Sequence, residues 1–221
     1  MLGYALRESE RERMRRAGLA ILTLLVWTGV APAAWAQDFE RIELSVNAAG
    51  VFSKTTKSND GVVSDTPTKS LAVFGSVQYH FTPMHSIELS VGHTNNSQVF
   101  VVPPNSYRIS TAILEYSGAY VFSPFATKKW APFLLGGIGG LRFSPGKTYI
   151  DGFQQSLGAV QQTALAFVYG GGTDYHLWRH LNLRLQYRGF LYKNPDFNVQ
   201  PLFTGARGHI AEPSIGLAVK F

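Results

Sequence analysis

An all-β chain, folded as an eight-stranded antiparallel up-and-down β-barrel that crosses a membrane behind a cleavable leader, is what this sequence predicts. Three observations predict it. The last nine residues alternate strictly, with Ile215, Leu217, Val219 and Phe221 apolar and Ser214, Gly216, Ala218 and Lys220 polar or small between them. That period of two sets one strand face against an apolar medium and the other against something else. An apolar strand left as an open edge would template aggregation, so this one is expected to close a sheet. Second, beyond residue 36 no apolar run approaches the roughly 20 residues of a spanning helix, so a membrane could be crossed only by a closed barrel. Third, the strand-like segments are joined by connections that alternate long and short, the asymmetry of barrels with short turns on one side and long loops on the other.

The leader occupies residues 1–36. Arg7, Arg11, Arg13, Arg15 and Arg16 form a basic start, Ala17 to Val30 is apolar, and Ala34-Trp35-Ala36 supplies a small-x-small site cleaved after Ala36. Met14, just before Arg15, is an alternative start. Residues 37–221 then make one barrel domain, with 15 Lys/Arg against 11 Asp/Glu. That excess is mild and scattered, which argues against a nucleic-acid partner. The chain has no cysteine, which excludes a disulfide framework, a thiol nucleophile and a Cys-based metal site.

Taken in order, the first strand spans 41–52, with Ile42, Leu44, Val46 and Ala48 outward and Glu43, Ser45 and Asn47 inward. A loop covers 54–68. The second strand, 69–81, sets Leu71, Val73, Val77 and Tyr79 against Phe74, Ser76, Gln78 and His80. After a tight turn at 82–85, the third strand, 86–93, faces Ile87, Leu89 and Val91 outward and Glu88 and Ser90 inward. Residues 94–105, with Pro103-Pro104, read as a second long loop.

The fourth strand, 107–122, carries Leu114, Tyr116 and Tyr120 outward and Glu115 inward. A turn follows at 123–129. In the Gly-rich fifth strand, 132–143, both parities contain apolar residues. Phe133, Leu135, Leu141 and Phe143 are expected outward, which leaves Arg142 inward. Residues 144–162 are the third long loop. The sixth strand, 163–177, points Leu165, Phe167 and Tyr169 out and Asp174 and His176 in. After Trp178-Arg-His180, the seventh strand, 181–192, alternates Leu181, Leu183, Leu185 and Tyr187 with Asn182, Arg184, Gln186 and Arg188. A fourth loop, 193–208, leads to the closing strand, 209–221. Aromatic belts are expected at both rims, with Tyr79, Tyr120, Trp130, Phe133 and Trp178 at the turn end and Phe52, Tyr107, Phe143 and Tyr192 at the loop end.

The leader, the PFLLGGIGG stretch from Pro132 to Gly140 and the terminal Ile215/Leu217/Val219/Phe221 series together resemble the small eight-stranded outer-membrane barrels. That group includes the OmpA transmembrane domain, OmpX and their adhesin relatives, and the resemblance covers residues 37–221. It implies a bacterial outer-membrane location, contact with membrane lipid and lipopolysaccharide, and a C-terminal series that serves as the signal read by the barrel-assembly machinery.

An eight-stranded barrel leaves an interior just wide enough for side chains. Glu43, Glu88, Glu115, Asp174, Arg184, Arg188, Glu212 and Lys220 are therefore expected to fill it as a paired charge network, since an isolated buried charge is costly. Register predicts Glu43 beside Lys220, Asp174 beside Arg184, and Glu88 facing His80. This points to a monomeric, non-enzymatic barrel with a plugged lumen and a structural or surface-interaction (adhesion) role, its loops facing an extracellular ligand. The alternatives are a narrow ion-conducting pore and a lipid A-modifying enzyme of deacylase type. His93-Thr94-Asn95 loosely resembles the deacylases' His-Ser-Asn, but Thr94 stands for the serine and no converging hydroxyl, imidazole and acid are spaced for catalysis. His93 is expected in an exposed loop. Nothing in the sequence has metal-ligand spacing or calls for a cofactor.

Overall fold

The computed structural model describes residues 40–221, and the expected leader lies outside the described residues. Eight long strands form the wall: β1 (Ile42–Ser53), β2 (Ser70–His80), β3 (His85–Val102), β4 (Asn105–Phe122), β5 (Trp130–Ile150), β6 (Gln162–Trp178), β7 (Leu181–Lys193) and β8 (Arg207–Lys220). Each is antiparallel to the next. The C-terminal series closes the cylinder: β8 pairs with β1, Leu44 opposite Val219 and Ala48 opposite Ile215.

Alternation sorts the wall into two surfaces. Outside, Leu71, Leu89, Ile138, Leu165, Ile215 and Leu217 are half or more exposed. Inside, Glu43, Glu88, Glu115, Asp174, Arg184, Arg188 and Glu212 are each 4% exposed or less. A soluble barrel would show the reverse, because apolar surface gains by leaving water.

Four expectations are corrected. Phe133, Leu135, Leu141 and Phe143 of β5 face inward, and Leu134 and Ile138 face out. Arg142 is exposed on the outer wall, where its Nη2 donates to Gln161 Oε1 at 3.0 Å. Neighbouring β6 explains this. Its inward Gly172 and Gly170 stand opposite Phe133 and Leu135, leaving room for large side chains. At Gly172 an added Cβ would lie 2.8 Å from the Phe133 ring. Second, residues 94–105 are no loop. β3 and β4 run on as a hairpin of two 18-residue strands turning at Pro103-Pro104, each well beyond the ~10 residues needed to cross a bilayer. Its outer face becomes mixed there, with His93, Asn95, Ser106 and Arg108 among Val99 and Val101, so the apolar period fades while strand pairing continues. Third, β5 extends into the expected third loop as far as Ile150, which shortens that connection to residues 151–161. Fourth, Phe133, Phe143 and Tyr192 are buried inside and Tyr107 packs against the same core opposite Phe100, so none of the four joins an outer aromatic belt.

Candidate functional site

The lumen is filled in layers, and β7 supplies the centre of two of them because Arg184 and Arg188 lie four residues apart on its inward face. Arg184 forks onto Asp174, its register partner on β6, with Nε to Oδ1 and Nη2 to Oδ2 both at 2.7 Å. The same guanidinium donates to Glu43 of β1 and, at 3.4 Å, to Glu88 of β3. One cation thus ties strands from around the barrel, and the Phe133 ring lies 5.0 Å from it. Lys220 Nζ is 3.4 Å from Glu43, and the two are register partners across the closing seam. Glu88 lies opposite Gln78 rather than His80, and His80 approaches Glu43 at 3.9 Å.

One layer up, Arg188 Nη2 donates to Glu115 at 3.0 Å and to Glu212 at 2.8 Å, while Nη1 donates to Ser90 Oγ at 3.0 Å. Its guanidinium stacks 3.5 Å above the Phe74 ring. All eight residues expected in the charge network therefore belong to these two layers. What the sequence did not disclose is the aromatic flooring from Phe74 and Phe133.

Above the charges the lumen turns apolar. Phe100, Ile109, Ile113, Phe143, Phe190 and Ile210 are buried there, and Phe197 and Leu202 fold in from the segment between β7 and β8. Phe197 meets Phe100 and Phe143 edge-on, both at 6.4 Å. At the mouth, Asp65 is fully buried and accepts a hydrogen bond from Asn194 Nδ2 at 2.9 Å, joining the first loop to the fourth. Its Oδ1 has no hydrogen-bond partner among the described residues.

Desolvation pushes the Asp65 carboxyl up to about 7. An acid raised in the folded state favours folding fully below its unfolded value near 3.8, and that contribution is lost as pH rises through about 7. The first loop is accordingly expected to be cut faster by protease at pH 8 than at pH 5. Asp65→Asn should abolish the difference, and equal cutting of the native protein at both values would contradict the assignment.

His93 lies in β3, not in a loop, and is exposed on the outer wall. Thr94 points the other way, its hydroxyl donating to the Leu71 carbonyl at 2.8 Å. Among the described residues no group of three or more His, Cys, Asp or Glu could hold a metal ion.

A closed eight-stranded barrel with an apolar outside and a charge-filled inside is the geometry of a small bacterial outer-membrane protein. The sequence model for the outer membrane protein beta-barrel domain matches residues 20–209. The chain belongs to that family. Membership carries an outer-membrane location and agrees with the inside-out polarity of the wall. Among solved structures, Neisserial surface protein A is similar with a TM-score of 0.55 at 16% identity, over 81% of this chain and 97% of that one. OprG from Pseudomonas aeruginosa is similar with a TM-score of 0.56 at 14% identity, over 82% and 96%. At such identity the likeness is one of fold. No curated protein matches the chain.

Proposed function

We propose that this family member is a non-catalytic, monomeric envelope protein, its lumen a structural plug and its outward end a surface for interaction or adhesion. The observation that supports it is the pair of buried guanidinium layers with a phenylalanine-rich layer above them, which fill the bore from wall to wall. A solute would have to break several charge-assisted hydrogen bonds to pass.

In this reading residues 1–36 are removed after Ala36, and the short turns and both ends of the mature chain face the periplasm. The assembly machinery reads Ile215, Leu217, Val219 and Phe221, and lipid and lipopolysaccharide surround the wall. The β3–β4 hairpin and the segments 54–69 and 194–206 reach outward, where loops on a rigid frame commonly carry recognition. Exposed Phe203 there, and Phe153 in the connection between β5 and β6 at the same end, are available to an extracellular partner. Because His93 and Thr94 occupy opposite faces of β3, the deacylase alternative gains no support.

The experiment is single-channel recording in planar bilayers. The native barrel is expected to show no sustained open level in molar potassium chloride. A stable ohmic conductance that shifts on Arg188→Ala would replace the plug with the narrow-pore alternative.

A further inference from the structure

The outer wall carries an arc of uncompensated positive charge. Lys193 continues the outward row Leu185, Tyr187, Leu191 of β7, and Arg207 continues the row Leu217, Ile215, Pro213 of β8. The two stand directly opposite each other in register. Like charges so placed on one sheet face repel and destabilise the pairing. Lys54 follows outward Phe52 on β1, and its backbone N–H donates to the His209 carbonyl at 2.9 Å, which sets it diagonal to Arg207. Lys69 precedes outward Leu71 on β2 and holds its Nζ 5.9 Å from the Phe52 ring.

Strand order round the barrel is β2, β1, β8, β7, so four adjacent strands each present one cation, within an arc of about 15 Å. All four are exposed, and none makes an ion pair or side-chain hydrogen bond among the described residues. These strands present no outward carboxylate, because Glu43 and Glu212 point into the lumen. Asp196, in the neighbouring segment, is taken up by Gln162 at 2.8 Å.

Height decides what the arc meets. β7 has 13 residues, and at about 3.3 Å per residue and a tilt of about 40° Lys193 stands roughly 30 Å above Leu181. An apolar band about 25 Å tall ends just below that level. Under the arc, Leu71 is 82% exposed and Leu191 43%. Acyl chains against the wall and a phosphorylated headgroup at its upper edge match this sequence of surfaces, apolar then cationic. Phe52 beside Lys69 and Phe203, 5.8 Å from Lys193 Nζ, add flat apolar faces for a sugar ring.

We infer that Lys54, Lys69, Lys193 and Arg207 form a binding site for the phosphate groups of lipid A, the glycolipid anchor of outer-leaflet lipopolysaccharide. The site rests on the membrane placement proposed above, with the loop end outermost.

The test uses the mature barrel refolded into phosphatidylcholine vesicles doped with lipid A, with dephosphorylated lipid A, or with phosphatidylglycerol at equal charge. Every sample is first scored for insertion by an unboiled gel shift and protease protection. Lipid retained per barrel after detergent extraction is then counted by mass spectrometry. Lipid A should be retained at least about tenfold over both comparison lipids. Joint replacement of the four cations by glutamine should erase that preference while the gel shift persists. Neutralising Arg41, Lys128, Lys129 and Arg179 at the opposite rim should leave it intact.

Equal retention of phosphatidylglycerol, an unchanged preference in the fourfold variant, or equal loss in the opposite-rim variant would each overturn the site. An inserted barrel without preference removes the site alone. A barrel that never inserts removes the membrane placement and the site with it.

Discussion

Arg184→Met is expected to lower barrel stability by about 3–5 kcal/mol, the usual cost of removing one partner from a buried ionic cluster. The size follows from what stays behind. Glu43, Glu88 and Asp174 are each 4% exposed or less, and with the guanidinium gone Lys220 pairs with Glu43 alone while Arg188 stays engaged with Glu115 and Glu212 one layer up. Methionine fills much of the volume, so the loss reads out charge rather than a cavity. Urea unfolding in lipid vesicles, followed by tryptophan fluorescence, measures it. Adding Glu43→Gln, Glu88→Gln and Asp174→Asn should recover most of the stability, since neutral groups need no counter-charge. A cost under about 1 kcal/mol for the single variant would place Arg184 in water, as for an exposed pair.

On the opposite surface, Ile215→Arg should cost about 2–4 kcal/mol, the penalty for a cation near the bilayer midplane on a barrel's lipid face. Ile215 is 53% exposed and lies opposite Leu185 on β7 and Ala48 on β1, far from both rims. The penalty is graded by depth, so Val219→Arg, near the turn end, should cost distinctly less. The same unfolding assay measures both. A water-facing site would tolerate either arginine equally well.

Where one face is apolar and the other polar, the fold was legible from period-two alternation: β1, β2, β6, β7, β8 and the residues 86–93 and 112–122 of β3 and β4 all face as they alternate. Alternation fails where both faces are apolar, as in β5. There the information lies across the strands, in the large-small matching of Phe133 with Gly172 and Leu135 with Gly170. Once the facing of β6 is known, that pairing gives β5 its direction. It fails again above the membrane, where outward Asn95, Ser106 and Arg108 mix with Val99 and Val101 and keep strand pairing without a continuous apolar face, so the β3–β4 hairpin read as a loop.

The members of the charge network were legible from parity, and the Glu43–Lys220 and Asp174–Arg184 pairings from register. Which carboxylates converge on which guanidinium was not. Glu43 and Glu88 meet Arg184 across the bore, a distance no strand register encodes. The Asp65–Asn194 contact is likewise set by two loops folding over one mouth.

Spin labels placed singly at Leu185, Gln186, Ser214 and Ile215 of the membrane-inserted barrel test the central claim most directly, through collision with oxygen and with a water-soluble nickel chelate. Labels at Leu185 and Ile215 should meet oxygen freely and the chelate rarely, as lipid-facing positions do. Labels at Gln186 and Ser214 should be shielded from both. The claim of an apolar exterior around a closed, charge-filled bore would be contradicted if Gln186 and Ser214 proved open to the chelate while Leu185 and Ile215 were shielded from oxygen.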